Sequence, residues 1–176
     1  MCGRRSVRGG AILAMDGFVA TYSNRLDAKG RISVPAPFRA VLAREGSDGL
    51  YCYPALDQPA IDAGGERLKS AIAERLGVFQ TFSEDHETLS TAFYSESRLL
   101  KIDQDGRIVL PDEFRAFAGI GETAVFAGQG FKFQIWEPER FAARQKSARA
   151  HLRSVTRALG SRRRGAAQGG GRDEPA

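Results

Sequence analysis

The chain contains two nearly identical segments, and this internal repeat limits what it can fold into. Residues 24–42 read NRLDAKGRISVPAPFRAVL, and residues 99–117 read LLKIDQDGRIVLPDEFRAF. Eight of fourteen aligned positions are identical at a constant offset of 76 residues: Asp27, Gly30, Arg31, Ile32, Pro35, Phe38, Arg39 and Ala40 match Asp103, Gly106, Arg107, Ile108, Pro111, Phe114, Arg115 and Ala116. This offset is too long for a solenoid repeat and too short for two ordinary domains. One copy is also too small to bury a good core alone, so we expect the two copies to pack together.

Each copy predicts a polar turn, a short strand and a short helix. The aspartate can accept hydrogen bonds from the backbone of the turn, and Gly30 and Gly106 can take its positive φ. Alternating apolar residues then predict a strand, and the proline suits the first turn of a helix. The helices are predicted over 36–43 and 112–118. The predicted core positions are Ile32, Val34, Phe38, Val41, Leu42, Ile108, Leu110, Phe114 and Phe117.

The remaining segments predict a hairpin and further helices. TAVFA and FKFQIW are strand-like and are joined at Gly128–Gly130, while the first copy has only a shorter counterpart in GLYCYP at 49–54. Leu68, Ile72 and Leu76 then recur every four residues, which predicts a helix with one apolar side. A second connector helix is predicted near 83–93, with Thr81 and Glu84 as a capping box. The predicted order is a disordered or wrongly included extension (1–14), a first unit (20–62), a helical connector (63–93), a second unit (94–140), a C-terminal helix (141–159) and a disordered basic tail (160–176).

The charge is divided along the chain. Residues 16–140 carry 14 Lys and Arg against 19 Asp and Glu, whereas residues 141–176 carry nine bases and two acids. The formal net charge of +5 therefore comes from the two ends of the chain. A basic tail of this kind fits either a solvated run of charge or nonspecific binding to nucleic acid, and the sequence leaves both open.

Several protein classes are disfavoured by the sequence. No apolar run reaches the length of a membrane span, and the patch at 11–15 is too short for a signal-peptide core, with Met15 a plausible start. Cys2 and Cys52 suit neither a disulfide framework nor a zinc site, which favours a cytoplasmic protein. His86 and His151 stand alone, and no nucleotide or calcium motif is complete. We therefore expect no enzyme activity, no cofactor and no bound metal.

The repeated arginines allow two interpretations. Arg31 and Arg107 follow a glycine turn and alternate with apolar residues, so they can face away from the core. Two equivalent basic loops could contact DNA together, because guanidinium groups bind phosphates and guanine edges. Alternatively, each arginine forms a salt bridge within its own loop, to Asp27 or Asp103. The residues alone do not choose between these interpretations.

The doubled motif D-x-x-G-R-I-x-x-P-x-x-F-R resembles the DNA-binding unit of AbrB-like regulators. Two such units with a helical connector and the ending GQGFKFQIWEPERF resemble the MraZ family over about residues 15–143. The resemblance implies an α+β, mainly β fold, in which two repeats form a pseudo-two-fold, swapped-hairpin barrel. It also implies a bacterial regulator that binds double-stranded DNA as a ring of identical subunits. The site residues that it implies are Lys29, Arg31 and Arg107, with Arg25, Lys101, Arg39 and Arg115 as further candidates.

The resemblance further implies a place of action. Family members bind direct repeats upstream of the division and cell-wall gene cluster, which usually contains their own gene, and they locate to the cytoplasm and nucleoid. Three features depart from the pattern: a first hairpin that looks shortened near 46–50, two glycines at 64–65 that interrupt the connector, and the terminal extensions. An AbrB-like antitoxin that binds a toxin partner, and an oligomeric scaffold that does not bind DNA, remain the alternatives.

Overall fold

The computed structural model of the protein describes residues 17–168. These residues form two compact units: a body, 17–137, and a C-terminal unit, 138–168. The predicted extension at 1–14 and the end of the predicted tail, 169–176, lie outside the described residues.

The body contains eight strands and four α-helices among its described residues. The strands are β1 Thr21–Arg25, β2 Arg31–Ser33, β3 Leu50–Pro54, β4 Ile61–Gly64, β5 Arg98–Leu100, β6 Arg107–Val109, β7 Thr123–Gly128 and β8 Phe133–Trp136. The helices are α1 Ala36–Arg44, α2 Glu66–Leu76, α3 Glu84–Ser90, which continues into a π-helical turn Thr91–Ser95, and α4 Asp112–Ala118. The C-terminal unit is one helix, α5 Pro138–Gln168.

The two repeats are interlocked through their strands. Six strands form an antiparallel sheet in the order β1-β7-β8-β4-β3-β5, and β2 and β6 form a separate pair. The first strand of each repeat therefore pairs with the hairpin of the other repeat: β1 with β7, and β5 with β3. If the strands of the two repeats are exchanged, the order of the sheet reads the same from its other end. The sheet therefore has the predicted pseudo-two-fold symmetry. The predicted α+β class is confirmed, and the sheet among the described residues is open rather than a closed barrel.

The predicted turn, strand and helix of each repeat are confirmed. Helices α1 and α4 begin directly after Pro35 and Pro111, and Gly119, with φ of +72°, ends α4. One predicted core residue is wrong, because Phe117 is 45% exposed. Since α4 has only seven residues, its buried face is occupied by Phe114 and Ala118, which lie four residues apart on one side of the helix.

The sequence does not predict β1, β4 or β5. The side chains of β1 alternate between exposed and half-buried, and β5 has only three residues, so neither carries a strong apolar pattern. Both are held by pairing with the other repeat. Strand β4 completes a hairpin with β3, so the first repeat has a full hairpin rather than a shortened one. The glycine pair at 64–65 joins β4 to α2 and does not interrupt a helix.

Aromatic rings from both repeats fill the main core. The rings of Phe18, Phe38 and Phe133 are mutually in contact, with centroids 4.8–5.3 Å apart. Tyr22 and Phe126 extend the cluster at 5.3 Å and 5.9 Å. Because Phe38 belongs to the first repeat and Phe133 to the second, this cluster needs both copies in order to form. The repeat is therefore required for the core.

The connector packs its apolar stripe as predicted. Leu68, Ile72 and Leu76 of α2 are buried in a second, smaller cluster that includes Tyr53 and Phe93. The predicted cap of α3 is wrong: the hydroxyl of Ser83, not Thr81, accepts a hydrogen bond from the backbone N–H of His86 at 3.2 Å. Ser83 immediately precedes the helix, which is the position from which a side chain reaches the free amides of the first turn.

Helix α5 is longer than the sequence predicts. It continues to Gln168, nine residues beyond the predicted end at 159. The glycines in this stretch each cost a helix only about 1 kcal/mol, and arginine and alanine are good helix formers. Leu152 and Val155, on the apolar side of the helix, are exposed. No helix within residues 17–168 combines the length and apolar content needed to cross a membrane.

The aromatic core predicts unequal effects of two nearby substitutions. Phe133 is fully buried, whereas Phe131, two residues earlier, is 41% exposed. We expect Phe133→Ala to lower the free energy of unfolding by about 3–5 kcal/mol, because it removes a ring that contacts three others. Phe131→Ala should cost less than half of that. Urea denaturation followed by circular dichroism measures both, and equal losses would contradict the assigned core.

Candidate nucleic-acid interface

The turn of the first repeat is built around one carboxylate. In this first loop, residues 27–31, Oδ1 of Asp27 accepts the backbone N–H groups of Lys29 and Arg31, both at 2.9 Å. Oδ2 of Asp27 accepts the side-chain Nε–H of Arg31 at 2.6 Å. The backbone closes the turn from Gly30 N–H to the Asp27 carbonyl at 3.0 Å, with φ of +74° at Gly30. The loop is therefore fixed by its own aspartate and arginine.

The second loop, residues 103–107, repeats this geometry. Oδ1 of Asp103 accepts the backbone N–H groups of Asp105 and Arg107 at 2.9 Å and 2.8 Å, and Oδ2 accepts Nε–H of Arg107 at 3.1 Å. Gly106 has φ of +75°. One contact has no counterpart in the first loop: a terminal nitrogen of Arg107 donates to Asp105 at 2.5 Å.

The antiparallel pairing of β2 with β6 links the two loops, which lie at opposite ends of this short strand pair. Ile32 lies opposite Ile108, and both are buried. Each strand also bonds to the opposite loop: Val34 N–H donates to the Gly106 carbonyl at 2.9 Å, and Leu110 N–H donates to the Gly30 carbonyl at 3.0 Å. Each glycine turn is therefore tied to the end of the opposite strand, across the pseudo-two-fold.

Arg31 and Arg107 lie on the same outer face of this strand pair. Arg31 is opposite Val109 and Arg107 is opposite Ser33, so the arginines are diagonal neighbours, a position at which residues lie about 7–8 Å apart. Both alternate with the buried isoleucines and keep about a third of their side-chain surface exposed. The ion pairs within the loops are formed, so that interpretation of the arginines is confirmed, and the same side chains also reach the surface.

The hydrogen bonds shift the acidity of the loop residues. The backbone N–H of Arg31 lowers the pKa of Asp27 more than any other group, and the Arg31 guanidinium adds to this. The backbone N–H of Arg107 does the same to the pKa of Asp103. In turn, the hydrogen bond to Asp103 raises the pKa of Arg107, and the negative charge of Asp27 in the other loop also contributes. The two loops are therefore close enough to act on each other electrostatically.

The other predicted site residues lie at several places around the loops. Lys29 is exposed at the tip of the first loop. Arg25 at the end of β1 pairs with Glu122 at 3.3 Å, and Arg25, Asp27 and Arg115 line one shallow cavity of about 460 Å³. Lys101 is exposed just after β5, and no contact of its side chain ties it to the loops among the described residues.

Arg39 and Arg115 have a role that the sequence does not predict. Arg39, from α1 of the first repeat, lies over Gly106 of the second loop, so closely that a Cβ at 106 would overlap its guanidinium. Arg115, from α4, lies near Gly30 in the equivalent way, at 3.6 Å from where a Cβ would be. Each arginine thus packs against the loop of the other repeat. Only the repeated Phe-Arg pair hints at this, because the exchange of partners depends on the interlocked fold.

The packing of Arg39 and Arg115 leaves part of each side chain unsatisfied. Nε of each is buried and has no hydrogen-bond partner within the described residues. Nη1 of Arg115 is held by Asp112 at 3.3 Å, whereas Arg39 has no ion pair in the described part of the chain. Residues 17–168 contain no group of three or more histidines, cysteines or acids placed to hold a metal ion.

The lowered pKa values of Asp27 and Asp103 predict a loss of stability in acid. A carboxylate whose folded-state pKa lies below its ordinary value of 3.8 stabilises the fold above that pH. This stabilisation is lost as the pH falls below about 4, through the lowered pKa. Carboxyl carbon NMR should therefore show both groups titrating below 3.8, and an Asp27→Asn, Asp103→Asn variant should show a shallower decline of stability in acid. Titration of both groups at or above 3.8 would contradict the geometry of the loops.

The contact between Arg39 and Gly106 predicts a local rearrangement on substitution. Gly106→Ala and Gly130→Ala both place alanine at a positive φ, at a cost of about 1–2 kcal/mol. At Gly130 a Cβ meets open space, so this variant is the matched control. Only Gly106→Ala should shift the NMR signal of the Arg39 Nε–H group. An unchanged Arg39 signal would show that the side chain does not rest on the second loop.

A family model matches the second repeat and most of α5. It carries the description "MraZ protein, putative antitoxin-like" and covers residues 93–162. This segment includes the second loop, α4 and the β7–β8 hairpin.

Curated relatives match over most of the chain. A protein of Xanthobacter autotrophicus named transcriptional regulator MraZ is 51% identical over 148 residues, which is 84% of this chain and 94% of the relative. Proteins of the same name from Beijerinckia indica and Parvibaculum lavamentivorans are 50% and 42% identical, over 84% and 73% of this chain and 90% and 81% of the relatives. Two interlocked D-x-x-G-R loops and these identities together show that the chain belongs to the MraZ family.

Proposed function

We propose that this protein is a transcriptional regulator that binds double-stranded DNA through its two joined loops. The observation that carries the proposal is the β2–β6 pairing, which displays Arg31 and Arg107 on one exposed face. Lys29 extends the first loop, and Arg25, Lys101, Arg39 and Arg115 would supply flanking contacts. The relatives are named as transcriptional regulators rather than enzymes, which supports this function and the prediction that the protein is not an enzyme.

Arg31, which Asp27 holds in place, is well suited to such a contact. Arg31 uses Nε for Asp27, and its terminal nitrogens make no hydrogen bond within the described residues. A guanidinium that is already ordered loses little side-chain entropy when it binds phosphate or a guanine edge. The aspartate reduces the net charge of the loop but fixes the direction of the arginine. The loop therefore provides geometry, and the strength of binding must come from several loops acting together.

Assembly into a ring would supply that strength through avidity. Residues 16–140 carry a net negative charge, so one subunit should bind DNA weakly. Identical subunits on consecutive direct repeats would raise the effective concentration of each loop at its site. We propose that the repeats lie upstream of the division and cell-wall gene cluster, including the gene of this protein, and that binding represses transcription. The place of action would be the cytoplasm and the nucleoid.

The antitoxin alternative is kept because the family model is itself described as antitoxin-like. In that case the chain would bind a toxin partner in addition to DNA. Co-purification of one stoichiometric protein partner from the native cell, together with neutralisation of a growth defect caused by that partner, would favour it. The relatives' names favour regulation of transcription as the first proposal.

A salt titration of DNA binding tests the proposal. The probe is the duplex just upstream of this protein's own gene, compared with a shuffled duplex of equal length. We expect selective binding with a steep salt dependence, which Arg31→Ala, Arg107→Ala should abolish. Arg44→Ala, Arg75→Ala, which removes equal charge from α1 and α2, is the control. Circular dichroism checks that both variants fold, since Arg31 and Arg107 also brace their loops.

Three results of that titration would separate the alternatives. Selective binding that disappears only in the loop variant supports the regulator and its site. Selective binding that survives in the loop variant moves the DNA contact to another surface. Absence of selective binding by the assembled wild-type protein would overturn the proposed function.

The basic tail predicts a separate change in salt dependence. Residues 160–176 contain four arginines and two acids. If these arginines bind phosphates, then removing 160–176 should reduce the slope of log affinity against log salt by about 0.9 for each phosphate that the tail neutralises, without changing sequence preference. An unchanged slope would show that the tail does not bind DNA.

A further inference from the structure

The two loops have the same backbone geometry but opposite net charge. The first loop has one acid and two bases, Asp27, Lys29 and Arg31, and a net charge of +1. The second loop has two acids and one base, Asp103, Asp105 and Arg107, and a net charge of −1. The difference arises at one aligned position, where Lys29 corresponds to Asp105. A pseudo-symmetric backbone therefore presents an asymmetric charge.

The ion pairs of Arg31 and Arg107 differ in the same direction, because the arginine of the second loop is bound by more carboxylates. Arg31 is bound by one carboxylate, through Nε at 2.6 Å from Asp27. Arg107 is bound by two: Nε lies 3.1 Å from Asp103, and a terminal nitrogen lies 2.5 Å from Asp105. The Asp105 side chain is 70% exposed, so it holds this nitrogen at the outer surface of the loop. A terminal nitrogen of Arg107 is thus already bound to a carboxylate, whereas the terminal nitrogens of Arg31 are not bound within the described residues.

We propose that the first loop makes the dominant DNA contact and that Asp105 is a specificity-determining residue, which weakens the second loop by binding Arg107. This inference rests on the proposed function, because it assigns unequal parts of the same DNA-binding surface. DNA phosphates repel the second loop as a whole and attract the first. To contact a base or a phosphate with its terminal nitrogens, Arg107 must first give up its ion pair with Asp105.

The asymmetry has a consequence for the DNA site. Two equal loops related by a two-fold axis would match a palindromic site, as in symmetric dimers that read two inverted half-sites. Two unequal loops instead prefer a site whose halves differ, which gives each bound subunit a direction on the DNA. Subunits that all bind in one direction match sites repeated head to tail. The negative charge of Asp105 should therefore favour binding to direct repeats over binding to palindromes.

Exchanging the two aligned residues tests the inference while leaving both aspartate–arginine braces in place. Asp105→Lys gives the second loop the charge pattern of the first, and Lys29→Asp does the reverse. Asp57→Lys, in the turn between β3 and β4, adds the same charge elsewhere and is the matched control. Affinity for the upstream duplex is measured by fluorescence anisotropy at several salt concentrations, with the full-length protein.

We expect Asp105→Lys to tighten binding and Lys29→Asp to weaken it. One phosphate contact changes the salt slope by about 0.9, so one additional phosphate contact should make affinity fall roughly 3.5-fold more between 50 and 200 mM salt. Asp57→Lys should have a smaller effect. A second comparison tests the ion pair itself: Arg107→Ala should cost less than about twofold in affinity in the wild type, but several-fold in the Asp105→Asn background.

The inference and the proposed function can fail separately. If the wild type binds selectively but Asp105→Lys has no more effect than Asp57→Lys, the inference is overturned and the regulator stands. Equal losses of affinity from Arg107→Ala in the two backgrounds would also overturn it. If the wild type does not bind the upstream duplex selectively, the proposed function fails and the inference fails with it.

Discussion

The antiparallel pairing of β2 with β6 is the contact on which the rest of this structure depends. It buries Ile32 against Ile108, ties each glycine turn to the end of the opposite strand by a backbone hydrogen bond and places Arg31 and Arg107 on one surface. The larger sheet follows the same symmetry, because β1 and β5 each pair with the hairpin of the other repeat. Neither copy can complete its sheet or its aromatic cluster alone, so the gene encodes both halves of one folding unit.

The side chains that brace each loop are also the ones that we propose contact DNA. Asp27 and Asp103 each hold two backbone N–H groups and one guanidinium, which fixes the conformation of the turns. In the proposed function, the arginine that stabilises the turn is also the group offered to DNA. Arg39 and Arg115 support the loops from the opposite repeat, which explains why the Phe-Arg pair is repeated together with the glycine turn.

Local patterns predict the segments whose structure is set locally. The turns, α1, α4 and the β7–β8 hairpin follow from proline, glycine and the alternation of apolar residues, and they lie where the sequence places them. Strands β1 and β5 are not predicted because the other repeat holds them, and the prediction for Phe117 is wrong because α4 is too short to bury both of its aromatic residues. The site shows the same division. The sequence identifies Arg31 and Arg107, but only the interlocked fold reveals that Arg39 packs on Gly106.

Lysine footprinting of the assembled protein on its upstream duplex tests the central claim most directly, namely that the joined loops are the DNA-binding surface. Each lysine is acetylated with and without DNA, and its reaction rate is read by mass spectrometry. Lys29 in the first loop is exposed, and Lys69 on α2, in an ion pair with Glu66, serves as the internal reference. The account predicts strong protection of Lys29 by DNA and an unchanged rate at Lys69. Protection of Lys69 with no change at Lys29 would contradict it and place the DNA on the connector.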